Sequence, residues 1–375
     1  MPGKFKIVVS DLHLGAGFVP EGNLLEDFER GSEFAAFLRG LAAESEQEEA
    51  EVELIINGDA FEMLQVPNVD VFDPAEEYPP EEYHSSSEPD SVLKMALIIT
   101  GHRTFFEALG SFVQVGPPRR YVTFIKGNHD INLHWPAVQG RIQSAMGLNA
   151  ELSALLTFEE RRVSREGIYV EHGNQYASIT DRIVDMEEPH DPDDPDQLAL
   201  PVGSWFLMDV FNEVERETYW IDGVKTILAL VWYSLAYDFA FAARALTVLL
   251  RALPGIVGEV LFDADVDDPR ATLVRQLEDP EQVAEMAARY EADEAYRAEF
   301  NAQVAGALSP PPETPDDVMY SLSADSDPVA MGDQVQLQVD SALYKAARKL
   351  AAEERAKVVV FGHTHDVGVE PLPSG

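Results

Sequence analysis

The chain of 375 residues contains no cysteine, which removes disulfides, thiolate metal sites and cysteine nucleophiles in one step. Any metal ion must therefore be held by histidine, carboxylate or amide. Positive charge is scarce as well: 8 lysines and 19 arginines face 67 acidic residues, a formal charge of −40. A surface that acidic repels polyanions, so nucleic-acid binding through basic patches is not expected. The N-terminal MPGKFKIVVS lacks an apolar stretch followed by a small-residue cleavage site, so no signal peptide is read and a cytoplasmic protein is expected. What remains is a globular composition, 46% hydrophobic and 25% charged, long enough for one large domain or two ordinary ones.

Five short apolar runs rich in β-branched residues predict buried strands: Phe5–Val9, Val52–Ile56, Tyr121–Ile125, Ile168–Val170 and Lys357–Phe361. Helical spacing fills several of the gaps. Ser32–Ala43 repeats Phe34, Phe37, Leu38 and Leu41, with Ser32 as the expected cap, and Ser91–Val115 and Val339–Glu354 give two more amphipathic helices. Alternating strands and helices argue for an α/β layered core. Val66–Asp90, with five prolines, many acids and no lysine or arginine, reads as a solvated acidic loop. Residues 175–340 interrupt the pattern with helical stretches near 203–217, 224–251 and 279–304, a Pro254-Gly255 break and a polar connector through 309–328. The division expected is a core over 1–175 and 336–375, with a helical subdomain at 176–335.

Chemistry collects immediately after the strands. Ile7-Val8-Val9-Ser10 is followed by Asp11-Leu12-His13, and Leu54-Ile55-Ile56-Asn57 by Gly58-Asp59. Phe124-Ile125-Lys126 leads to Gly127-Asn128-His129-Asp130, Tyr169-Val170-Glu171 to His172-Gly173, and Val360-Phe361 to Gly362-His363-Thr364-His365. In layered α/β sheets, sites form beyond the carboxyl ends of strands, so the five clusters can converge on one rim. Asp11, His13, Asp59, Asn128, His172, His363 and His365 supply carboxylate, amide and imidazole donors, which suit Mn, Fe or Zn. A carboxylate can bridge two ions about 3.5–4 Å apart, the separation that two-metal phosphoesterases use. Asp-x-His or Gly-Asp alone is common by chance; the ordered set of five is not.

On these blocks the chain resembles the calcineurin-like metallophosphoesterases, over roughly residues 4–175 and 336–370. The resemblance implies an α/β fold, a four-layer α/β/β/α sandwich with a mainly helical insertion, and a dinuclear centre. It implies that Asp11, His13 and His365 hold one ion, that Asn128, His172 and His363 hold the other, and that Asp59 bridges them. The ions implied are two divalent metals, Mn ahead of Fe or Zn, with a bridging hydroxide as nucleophile. His129 is implied to bind phosphate or protonate the leaving oxygen, with Asp130 orienting its ring; Asp130 can also cap the turn. The function expected is phosphomonoester or phosphodiester hydrolysis of a phosphorylated small-molecule or lipid-linked substrate. Ten residues follow His365, fewer than the family's second sheet uses, implying a shortened edge or a truncated chain.

Two alternatives stand beside this reading. Thr226–Leu250 contains Asp238 and Arg244, and one crossing would separate the fourth and fifth ligand blocks, so a buried helix is expected rather than a membrane span. Its Trp232, Tyr233, Tyr237, Phe239 and Phe241 could instead line an acyl pocket, or 224–262 could touch a membrane surface at the inner face. Asp11-Leu12-His13-Leu14 and Gly58-Asp59-x-Phe61-Glu62 resemble the UDP-2,3-diacylglucosamine pyrophosphohydrolases, although that branch carries Arg where this chain has His129. The second alternative is a non-catalytic scaffold, against which every ligand position is filled. His84, His102, His134 and His190 have no partner at ligand spacing, Asn132 and His134 follow the Asn-His-Asp block closely enough to approach a substrate, and Arg119-Arg120 and Arg161-Arg162 are candidate phosphate contacts or surface pairs.

Overall fold

Strands that run parallel are buried on both faces and joined by crossover helices, which is how the β-branched runs of this chain are used. The computed structural model describes residues 4–18, 23–114, 116–177, 180–212, 235, 239–252, 269–308, 342–365 and 368–369. In it β1 (Lys4–Val9), β2 (Glu51–Asn57), β3 (Arg120–Ile125) and β4 (Leu156–Glu159) form one parallel sheet in that order. Helix α1 (Gly31–Gln47) connects β1 to β2. Helices α2 (Glu81–His84), α3 (Glu88–Gly101) and α4 (Arg103–Gln114) lie between β2 and β3, and α5 (Pro136–Ala145) between β3 and β4. Because the strands share a direction, the turns that follow β1, β2 and β3 leave the sheet at one edge.

One face of this sheet meets the helices in a large apolar cluster that includes Leu38, Leu54, Ile56, Phe61, Ile98, Phe105, Phe106, Val122 and Phe124. Phe61 stacks on Phe106 and Phe124 at ring-centroid distances of 5.9 and 5.7 Å. A second sheet contains β5 (Arg162–Arg165), β6 (Ile168–Glu171) and β7 (Val358–Val360). β5 and β6 form an antiparallel hairpin across Glu166-Gly167, whose φ values of 58° and 80° suit a tight two-residue connection. β7 pairs parallel to β6, Ile168 opposite Val358, after a helix over 342–353. Ile55 and Ile125 of the first sheet share a cluster with Val163 and Val170 of the second, and Val8, Ile168 and Val360 pack against it.

Several expectations change. Helix α1 begins one residue early, and Ser32 gives its hydroxyl hydrogen to Glu33 (2.7 Å) rather than capping the helix. The single helix expected over Ser91–Val115 is two: the chain turns at Gly101-His102, where Gly101 lies against the backbone of Ala16 and Gly17 and His102 Nε2 meets Glu26 at 3.0 Å. The acidic loop Val66–Asp90 is not simply solvated. Its end folds into α2 and the start of α3, Tyr83 packs beside Leu64 and Met208, and the Ser87 side chain caps α3. β4 and β5 were not expected, since LTFE and RVSR are short and polar.

The chain divides into two compact units, which differ from the division expected from sequence. The first holds the described residues of Met1–Met208 and Ala342–Gly375, and the second those of Asp209–Val214 and Trp220–Ser341. Residues 176–208 thus belong with the core: Ser86 donates its N–H to the Gln197 side chain, and Leu198 N–H donates to Ser86 Oγ, both at 2.8 Å. Within the second unit, helices Phe239–Ala252, Pro269–Leu277, Pro280–Ala292 and Glu294–Leu308 bury Leu246, Leu250, Leu273, Val274, Phe300 and Val304. The expected helix over 279–304 breaks at Asp293, whose carboxylate accepts the N–H groups of Ala295 and Tyr296. Phe239 and Phe241 are buried, with Phe239 5.2 Å from the rings of both Tyr290 and Phe300. Trp232, Tyr233, Tyr237, Asp238 and the 254–255 break lie outside the described residues, as does all of 309–340. No described helix is long and apolar enough to cross a membrane.

Candidate metal centre

The turns that follow the strands hold unusual backbone. Asp11, His13, Asp59, His363 and His365 all lie in the left-handed region, with φ of 55°, 49°, 49°, 74° and 55°. For a residue with a side chain this costs on the order of 1–3 kcal/mol and persists where the surroundings fix it. Here they do. Asp11 N–H donates to Gly58 O (3.2 Å), the N–H groups of Leu12 and His13 both donate to Asp59 O (2.9 Å each), and Leu14 N–H donates to Ala60 O (3.0 Å). The turns after β1 and β2 are thereby laced together. Two glycines admit the carboxylates: a Cβ on Gly127 would collide with Asp59 Oδ1, and one on Gly362 would lie 2.5 Å from Asp11 Oδ2.

Six of the seven nominated ligands fall into two groups whose ligand atoms lie within 4.8 Å of one another. In the first, His365 Nε2 is 3.5 Å from Asp11 Oδ1 and 3.2 Å from His13 Nε2. In the second, His172 Nε2 is 2.9 Å from Asp59 Oδ2, and His363 completes the group. Asp59 lies toward both, its Oδ2 4.0 Å from His13 Nε2. The seventh, Asn128, is buried, and its Oδ1 has no hydrogen-bond partner among the described residues. A buried amide oxygen without a donor has an open lone pair at a cost that a cation would relieve.

Partners behind the histidines set which nitrogen faces inward. His172 Nδ1 lies 2.9 Å from Asn57 O, which can only accept, so Nδ1 carries hydrogen and Nε2 turns to Asp59. His13 Nδ1 is 2.6 Å from Glu62 Oε2. His129 Nδ1 reaches the same oxygen at 2.7 Å, and its ring meets that of His13 edge-on at 4.8 Å. One buried carboxylate therefore orients two imidazoles. Burial works against charge on His129, yet Glu62 and Asp59 carry it up to about 10; for His13, burial is outweighed by Glu62, giving about 9. Burial raises Glu62, but His129 and His13 bring it down to about 2.

Asp130 has a different task from the one implied by the resemblance. Its Oδ1 accepts Gly127 N–H (2.7 Å) and its Oδ2 accepts Ala60 N–H (2.8 Å), so it fastens one turn to another while Glu62 holds the His129 ring. Burial and the Asp59 charge raise its pKa to about 6. Glu62 appeared in the sequence only as part of a resemblance block, and Asp181 drew no notice. The Asp181 carboxylate is 3.3 Å from His363 Nε2, delivered by the segment beyond β6 rather than by the turn that ends the strand. Asn132 is spent on Ser91 Oγ (2.7 Å). Arg120 is fully buried against Ala42 O and Glu46, and Arg161 donates to Glu171 at 2.8 Å, so both serve the scaffold. His84 stacks edge-on against Trp205, whereas His134 and His190, without partners in the sequence, meet each other.

Comparison of the chain with protein-family models, with curated proteins and with solved structures finds no match.

Proposed function

We propose that the chain is a dinuclear-metal-dependent phosphoester hydrolase acting on a phosphomonoester or phosphodiester. The observation that carries this reading is the convergence of six side chains from four of the five turns, two carboxylates and four imidazoles, to which the turn after β3 adds the buried, unpartnered amide oxygen of Asn128. Oxygen and imidazole donors without sulfur fit Mn, Fe or Zn. Asp11, His13 and His365 would hold one ion, Asn128, His172 and His363 the other, with Asp59 shared. Such a pair, when bound, supplies charge neutralisation for phosphoryl oxygens and acidifies a water.

The chain's own residues do the rest. Glu62 engages His129 Nδ1, which leaves Nε2 as the nitrogen directed to a ligand and able to pass a proton to a leaving oxygen. Asp130 and the left-handed turns hold the rim rigid, so the groups meet a substrate already in position. The layering we infer is the four-layer α/β/β/α sandwich; it is supported by the apolar cluster shared between the two sheets and by the helices on the far face of the first.

The test is a panel of aryl phosphates and phosphodiesters on protein loaded separately with Mn, Fe and Zn. His129→Ala is expected to lower turnover of poor leaving groups by about 10²–10⁴-fold with metal content near wild type. Inert protein under all three loadings defeats the proposal; equal loss of metal in the variant defeats the role given to His129.

A further inference from the structure

A second constellation of ligand-type side chains lies outside the centre described above. His134 ends the 3-10 turn Ile131–His134, and His190 comes from the acidic loop 187–198. Their Nε2 atoms are 3.3 Å apart, and a carboxylate oxygen of Glu188 lies within 4.8 Å of both. His190 Nδ1 lies 3.0 Å from Pro195 O. A carbonyl only accepts, so that nitrogen carries the hydrogen and His190 presents a bare lone pair on Nε2.

His134 Nδ1 is 3.5 Å from both Lys126 Nζ and Glu160 Oε2. Burial first, then the Lys126 charge, lowers the pKa of His134, so the ring is kept neutral. With Nδ1–H turned to Glu160, the His134 Nε2 lone pair would point at that of His190. In that tautomer the two lone pairs repel unless a positive centre sits between them. Imidazoles backed by a carbonyl and a carboxylate are the usual outer shell of a metal-binding histidine pair.

The loop is held ready for this. His190 bridges antiparallel to Leu198, Ala199 N–H donates to Pro189 O (2.7 Å), and Asp191 N–H donates to Gln197 O (3.0 Å). The Trp135 ring meets that of His190 at 5.3 Å. His190 is thus placed by backbone and by the Trp135 ring as well as by His134.

We infer that His134, His190 and Glu188 form a separate mononuclear site for a borderline divalent cation such as zinc, fastening the acidic loop to the turn after β3. Two imidazoles and one carboxylate favour zinc, cobalt or nickel over magnesium or calcium. The site leaves at least one position for water. In the cation's absence, a proton on His134 Nε2 donated to His190 Nε2, with Lys126 donating to His134 Nδ1, gives the competing metal-free arrangement.

Equilibrium dialysis of EDTA-stripped protein against zinc chloride separates the two. Wild type is expected to hold one equivalent more than His190→Ala and one more than His134→Ala, while both variants keep the turnover of wild type on aryl phosphates. Cobalt loaded in place of zinc should lose the same fraction of its visible absorption in either variant. Zinc stoichiometry identical in wild type and both variants overturns the site, as does an extra equivalent lost in only one of them. Asp59→Asn dialysed in parallel reports on the dinuclear centre alone: zinc unaltered by that change counts against the proposed function and leaves the loop site standing.

Discussion

Glu62 is a single carboxylate with two imidazoles on one oxygen, His13 at 2.6 Å and His129 at 2.7 Å. The first histidine groups with Asp11 and His365, and the second meets its ring edge-on. Glu62→Gln keeps the shape but removes the charge that holds both rings, and outer-shell losses of this kind cost about 10–100-fold in metal affinity or activity. Metal content by atomic emission and turnover on an aryl phosphodiester should both fall, with unchanged values for both removing Glu62 from the site. The direct donors were legible because each follows a β-branched run within a few residues, so strand prediction alone places them at sheet ends. Asp181 was not legible, for it lies ten residues beyond the end of β6 and its meeting with His363 depends on how the chain turns after α6 (Asn174–Ala177). Of the two roles open to Asp130 the turn is the one seen: the buried N–H groups of Gly127 and Ala60 claim its oxygens, and the ring-orienting part implied by the resemblance falls to Glu62.

Among the elements, α3 is tied down by a buried cation. Lys94 donates from Nζ to Met63 O (2.9 Å) and Tyr83 O (2.6 Å), joining the helix to the segment after β2 and to α2. Burial lowers its pKa from 10.5 to about 7, against the opposing pull of Asp90 and Glu62. Between those two values the unfolded chain binds the proton more fully than the folded one, so this group's contribution to stability rises with pH across the window. The difference in urea midpoint between wild type and Lys94→Met should therefore move in favour of wild type from pH 7 toward about 10; a constant difference would contradict the assignment. The strands β2 and β3 could be read directly, since near-complete burial favours apolar residues, and β1, half-buried at the sheet's edge, keeps the run Ile7-Val8-Val9. β4 and β5 could not, because edge strands tolerate charge and shed the pattern. The split of Ser91–Val115 was hidden too: it comes from the approach of Ala16 and Gly17 to Gly101, a contact from far along the chain.

For the molecule as a whole, 67 acidic against 27 basic residues make self-repulsion a property of the fold. Screening shortens from about 10 Å at 0.1 M salt to about 3 Å at 1 M, so added potassium chloride should raise the thermal midpoint, by about 1–2 °C for each kcal/mol of repulsion relieved. A midpoint that is flat or falls with salt, followed by calorimetry, would show that the acidic charge is not limiting. The order of parts along the chain has a further effect. His363 and His365 arrive 191 residues after His172, on the far side of the second unit, and β7 must dock on β6 to bring them to the rim. At about 5–20 residues per second, a ribosome needs roughly 10–40 seconds to bridge that interval. Throughout it the nascent protein displays five of the seven nominated ligands and lacks His363 and His365, so both candidate groups are completed only after the second unit has been made.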